Sequence, residues 1–220
     1  MYKIKRFIRD NETLMVVLAS IYRVFCGNWI WGRRGLDLKW TGVFAKQVKL
    51  YNYGHNNLVQ FGKGCRVYGC KIQLLGDGNQ VIIDHDCVFE GLDIIVSDGA
   101  TLRIGHNSHL NRQTHIACIE GKTVTIGNRC LFSNDIVFRT GDSHVITDLE
   151  DNRINYGRDI VIGDHVWLGH RVTVLKGANV GSDTIIGTGS LVTKGDYPDN
   201  VVLGGSPAKV LKEQVNWRPE

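Results

Sequence analysis

An aliphatic residue recurs at every sixth position, without a break, at Ile162, Leu168, Val174, Val180, Ile186 and Val192. That period fits neither a helical turn of roughly 3.6 residues nor the two-residue alternation of an ordinary strand. Glycine follows four of these residues, at Gly163, Gly169, Gly181 and Gly187, and the fourth residue after each is mostly small: Val166, Val172, Ala178, Thr184 and Ser190. Small side chains at that place suit the cramped interior of a coil.

The same phase runs through Ile104, Leu110 and Ile116, through Ile126, Phe132 and Phe138, and less cleanly through Ile83 and Phe89 and through Phe61 and Val67. Gly62, Gly105 and Gly127 fill the matching second place. Three hexads close a turn of about 18 residues with three short strands, so stacked turns form parallel sheets around one narrow core. The fold class expected is all-β, a solenoid of about six coils. Cys65, Cys87 and Cys130 fall on the small inward place and read as packing atoms. The repeat also accounts for 26 glycines against 3 prolines in 220 residues, a balance that excludes collagen and proline-rich linkers.

Outside the repeat, residues 1–54 form an N-terminal cap with a helix from about Glu12 to Phe25, followed by Trp29, Trp31 and Trp40 among Arg33, Arg34 and Lys39. The first 50 residues carry ten Lys/Arg and three Asp/Glu, net +7 of an overall +4, which leaves −3 for the remainder. The total is too small to argue for nucleic acid. The cap reads in two ways: tryptophans packed on the first coil, or a basic aromatic surface making peripheral contact with anionic lipid. The uncharged run Thr13 to Tyr22 is ten residues where a membrane span needs about 20. Lys3, Lys5, Arg6 and Arg9 precede it in the outline of a signal peptide, but Asp10 and Glu12 interrupt and no small-residue cleavage site follows. Six cysteines without a Cys-x-x-Cys pair or zinc spacing point to a reduced, cytoplasmic protein that needs no metal. The solenoid is expected over 55–202, and a tail over 203–220 with a short helix at 208–216 closes the far end.

Between Phe138 and Ile162 lie 24 positions where 6 would continue the repeat, so 18 residues are extra. A long loop in a compact solenoid is usually functional. This one, 139–159, holds Gly141-Asp142-Ser143-His144, then Asp148, Glu150, Arg153 and Tyr156.

Residues 55–210 resemble the left-handed parallel β-helix of the hexapeptide-repeat acyltransferases. The segments Val161-Ile-Gly-Asp-His-Val-Trp-Leu-Gly, Ile185-Ile-Gly-Thr-Gly-Ser-Leu-Val-Thr-Lys and Val201-Val-Leu-Gly-Gly-Ser-Pro-Ala-Lys follow the order seen in the maltose, galactoside and xenobiotic acetyltransferase branch. Within it the chain looks most like the bacterial polysaccharide O-acetyltransferases. The hand of the coil comes from the resemblance alone, since parallel crossovers are right-handed in most folds.

The resemblance implies an acetyl-CoA-dependent O-acetyltransferase acting on a sugar hydroxyl, with His144 as general base on the loop that leaves this coil. A sugar hydroxyl is a poor nucleophile at neutral pH, and an imidazole can take its proton as attack begins. Asp142, Asp148 or a loop carbonyl would fix the tautomer. The resemblance further gives the backbone N–H of His170, beside Gly169, to the oxyanion, and Trp167 to the wall near the thioester. Thr188, Gly189 and Thr193 would present backbone to the pantetheine arm, with Lys194 and Lys209 at the nucleotide phosphates. Gln113 and Glu120 sit where family members contact the acceptor sugar, although they depart from the family in residue type. A homotrimer with active sites between subunits is implied as well.

Three rivals stand beside this reading: an N-acetyltransferase of an amino sugar nucleotide or antibiotic, a metal-dependent hydrase suggested by His165 and His170, and a non-enzymatic scaffold. The first shares the CoA motifs. The second leaves Trp167 and His144 unexplained, and the third predicts no CoA affinity. His106, His109 and His115 are spread too evenly along the coil to form a cluster.

Overall fold

The computed structural model describes residues 11–219, so Lys3, Lys5, Arg6 and Arg9 lie outside the described residues. Among the described residues, a left-handed parallel β-helix of triangular section makes up most of the chain, preceded by one helix. The first sheet runs from Trp29–Trp31 to Leu191–Val192 and the second from Leu36–Lys39 to Gly195–Tyr197, eight strands each; the third starts at Phe44–Lys46 and holds nine. Each strand pairs with its equivalent one coil away, as Ile116 pairs with Ile94 and with Phe138.

The hexad aliphatics point inward. Leu110, Ile116, Phe132, Phe138, Leu168 and Val174 are fully buried, and Phe132 stacks on Phe138 at 5.5 Å. Cys65, Cys87 and Cys130 are buried too, and each thiol donates to a carbonyl of the next coil, those of Asp84, Gly105 and Gly163. Glycine in the second place has a steric cause at the corner between second and third sheets: a Cβ on Gly163 would stand 2.7 Å from the backbone nitrogen of Ser182.

The solenoid is longer than the hexads indicate. The strands Trp29–Trp31, Leu36–Lys39, Phe44–Lys46 and Lys49–Asn52 pair in register with the coil that follows, so the coils begin well before residue 55. The six-residue count fails there because these coils are longer than about 18 residues, Trp29 pairing with Lys49 and Phe44 with Arg66, so the inward Ile30, Leu38, Ala45 and Leu50 do not fall six apart. An asparagine ladder supports the first-to-second corner. The Asn57 side chain donates to Asn52 Oδ1 at 2.6 Å and accepts from Asn79 N at 2.7 Å, and all three asparagines are buried.

The N-terminal helix, Glu12–Phe25, starts where the Asn11 side chain accepts from Leu14 N and packs against Phe44–Lys46. Met15 and Ala19 are buried, and the Arg23 guanidinium lies over the Trp40 ring at 5.0 Å. Trp29 and Trp31 remain exposed. The helix expected at 208–216 is not formed. Ala208–Lys212 instead pairs antiparallel with Val202–Gly205. The last parallel strand would otherwise leave its edge groups unpaired, and a returning strand satisfies them where a helix could not.

Candidate functional site

The loop between the strands Val137–Arg139 and Ile160–Ile162 leaves the first-to-second corner of the prism and is ordered by its own polar contacts. Asp148 accepts from the backbone of Glu150 and Asn152 at 2.9 Å, closing a turn, and Thr147 bridges to Arg153. Glu120 anchors the base. Its carboxylate pairs with Arg153 at 2.5 Å and accepts from Gly157 N at 3.0 Å, so this side chain is committed to the loop. Arg153 also lies over the Tyr156 ring at 4.9 Å.

His144 is exposed on this loop, and among the described residues its ring makes no hydrogen bond. Asn155, which sequence reasoning did not single out, holds the residue through its backbone. The buried Asn155 amide donates to the His144 carbonyl at 2.7 Å and to Asp142 at 2.9 Å, and its oxygen accepts from Ile146 N at 2.9 Å. Lys176, equally unforeseen, pairs with Asp142 and donates to the Asn155 carbonyl at 2.9 Å. The Lys176 hydrogen bond, then that of Asn155, holds the Asp142 carboxyl below its usual range. Asp142 therefore fixes the loop in place, while its carboxylate is engaged by Lys176 and Asn155. No spacing rule marks these residues; they are polar side chains in and beside a loop, with no period to betray them.

Gly169 and His170 lie at the third-to-first corner. A Cβ on Gly169 would come within 2.8 Å of Thr188 N, and the Gly189 N–H donates to the His170 carbonyl at 2.8 Å, so the turns 169–171 and 187–189 are stacked directly. His170 Nδ1 is 3.1 Å from the Asn134 carbonyl. Gly189 has φ +72° and no atom within 4 Å of a would-be Cβ, which leaves open space above its backbone. Trp167 stands on the third sheet, 40% exposed, beside Trp217 at 5.9 Å between rings. Trp217, a lone aromatic in the tail, donates its indole N–H to the His165 carbonyl at 2.8 Å and stacks on the His165 ring at 4.2 Å. Lys209 is exposed on the returning strand opposite Gly204.

The expected site residues thus fall into two groups. His144, Asp142, Glu120, Thr193 and Lys194 lie at the first-to-second corner; Gln113, Gly169, His170, Thr188 and Gly189 lie at the third-to-first corner, with Trp167 and Lys209 on the third sheet. The first sheet separates the two corners. From Asp135 to Gly141 the chain crosses it in extended form, roughly 15–20 Å at about 3.3 Å per residue, and no hydrogen bond or ring contact links the groups among the described residues. His165, bonded to Asp183 at 2.8 Å, lies at a different corner from His170.

Residues 159–194 match the family model of bacterial transferase hexapeptides, six repeats. The polysialic acid O-acetyltransferase of Neisseria meningitidis is 33% identical over 178 residues, 80% of this chain and 82% of that protein. The galactoside O-acetyltransferase of Escherichia coli strain K12 is 34% identical over 120 residues, 54% of this chain and 58% of that protein. The crystal structure of the polysialic acid O-acetyltransferase OatWY superposes with a TM-score of 0.80 at 29% identity, covering 88% of this chain and 91% of that one. Stacked hexads, a loop-borne imidazole and identity at this level over most of both chains agree: the chain is an acyltransferase and belongs to the hexapeptide-repeat acetyltransferases.

Proposed function

We propose that this protein transfers the acetyl group of acetyl-CoA to a sugar hydroxyl of a bacterial surface polysaccharide or its precursor, with His144 as general base. The observation that carries the assignment of His144 is its position: an imidazole with uncommitted ring nitrogens, on a loop pinned by Asn155, Lys176 and Glu120. Similarity to enzymes named for polysialic acid and for galactosides supports the sugar acceptor.

Acetyl-CoA supplies an activated thioester. The stacked turns at Gly169 and Thr188–Gly189 suit it, because backbone lies open at Gly189 without a side chain to fill the space. In this reading the His170 N–H donates to the developing oxyanion, Trp167 covers the site, and Thr193, Lys194 and Lys209 serve the pantetheine arm and the phosphates. Because the imidazole and these turns stand on opposite sides of the first sheet, one chain's His144 serves a neighbour's turns, and the working form is a homotrimer. The reaction takes place in the cytoplasm, where acetyl-CoA is made. Exposed Val17, Ile21, Val24 and Phe25 on the helix, with Trp29 and Trp31, support a peripheral contact with the membrane's inner face. No helix among the described residues is long and apolar enough to cross a membrane.

The test is acetyl-CoA turnover with bacterial surface glycans, comparing the intact protein with His144→Ala. The variant is expected to lose about two to four orders of magnitude in rate and to keep its CoA affinity. Undiminished activity would remove His144 from the mechanism.

A further inference from the structure

A groove of about 810 Å³ runs along the third-to-first corner, from Tyr22 of the N-terminal helix to Asn134. It crosses the coils of Gln47, Gly69, Gly91, Gln113 and Asn134, four spacings of about 4.8 Å, or roughly 19 Å. Its inner end adjoins the acyl site, because the Asn134 carbonyl is the partner of His170 Nδ1.

Its middle is open for a specific reason. The turning residue of this corner has positive φ in each coil: Gln47 (55°), Gly69 (64°), Gly91 (63°), Gln113 (63°) and Asp135 (59°). Side chains are accepted at three of those five places, so the backbone does not demand glycine at 69 and 91. What glycine does there is leave the groove empty. The amides of Gln47, Gln113 and Asn134 make no side-chain hydrogen bond among the described residues, and Tyr22 and Tyr68 add aromatic surface at the far end. Paired donors and acceptors beside aromatic faces suit a chain of hydroxyl-bearing rings. The lining carries both signs of charge, Lys46 and Arg112 with Glu90 3.4 Å from Arg112, and not the cluster of cations that a polyphosphate would need.

We propose that this groove holds several consecutive sugars of the acceptor, so that the enzyme acts on a polymeric glycan in preference to a mono- or disaccharide. The proposal rests on the acetyltransferase reading above and deepens it.

The experiment measures acetyl transfer from acetyl-CoA to polysialic acid and to a galactose-containing capsular glycan, each fractionated by length from disaccharide to polymer. The intact protein is expected to show kcat/KM at least about tenfold higher on polymer than on disaccharide, the equivalent of about 1.4 kcal/mol. Gly91→Asn, a residue that tolerates positive φ, and the exposed pair Lys46→Ala with Gln47→Ala should bring that ratio towards one. Circular dichroism and sedimentation of the variants should match the intact protein. A ratio near one in the intact protein, or variants that lower both lengths alike, overturns the groove while leaving the transferase reading standing. So does a changed sedimentation of the variants, which would make a second copy of the chain the occupant. Absence of transfer to every glycan, with acetyl-CoA still bound, takes down the glycan acceptor itself and the groove with it.

Discussion

Asn155 is the residue on which the placement of His144 depends. Its one side chain joins the His144 carbonyl, Asp142 and the Ile146 N–H while itself buried, so truncation leaves three polar groups to find new partners. Asn155→Ala is expected to lower kcat by about tenfold, the equivalent of about 1.4 kcal/mol, while the acetyl-CoA KM and the far-ultraviolet spectrum stay as they are. Steady-state kinetics at varied acetyl-CoA checks the split; a loss confined to KM would mean that Asn155 serves the donor site instead. At this scale the sequence singles out His144 as a candidate, because a histidine in an 18-residue break of an otherwise regular count is conspicuous. Asn155 and Lys176 are not singled out, since their roles come from contacts that span 11 and 34 positions. Glu120 shows the converse: it was expected at the acceptor, and its carboxylate turns inward to Arg153.

Within each coil, the corners decide more than the strands. Adjacent coils approach so closely at the second-to-third corner that Gly163→Ala would force its methyl against Ser182. Overpacking of that kind costs about 1–3 kcal/mol, and in a chain this size it should lower Tm by roughly 2–10 °C. A thermal melt of the variant measures this, and an unchanged Tm would show that the coils can slide apart there. The same scale explains two differences between expectation and structure. Residues 29–52 hide their coils because the turns there are longer than about 18 residues, Trp29 pairing with Lys49 and Phe44 with Arg66, so their inward apolar residues fall outside the six-residue count. The segment 208–212 becomes a strand because Val202–Gly205 offers an edge, a demand no local propensity registers.

For the whole molecule, the separation of His144 from the turns at Gly169 and Thr188 supports the proposal that one chain carries two halves of different sites. Inactive His144→Ala subunits mixed with inactive Trp167→Ala subunits, denatured and refolded together, should regain measurable activity, because some mixed trimers bring an intact histidine to an intact wall. Activity of the mixture no greater than that of either variant alone would place the whole site within one chain. The sequence by itself determined the solenoid, its inward residues and the interrupted coil, because a six-residue period is a local pattern repeated until it cannot be mistaken. Only the tertiary structure decided which corner each candidate residue occupies, how the loop is pinned, where the first coils begin and that the tail returns as a strand. These follow from contacts between coils, where residues about 17 to 37 positions apart become neighbours, and no short stretch of chain encodes them.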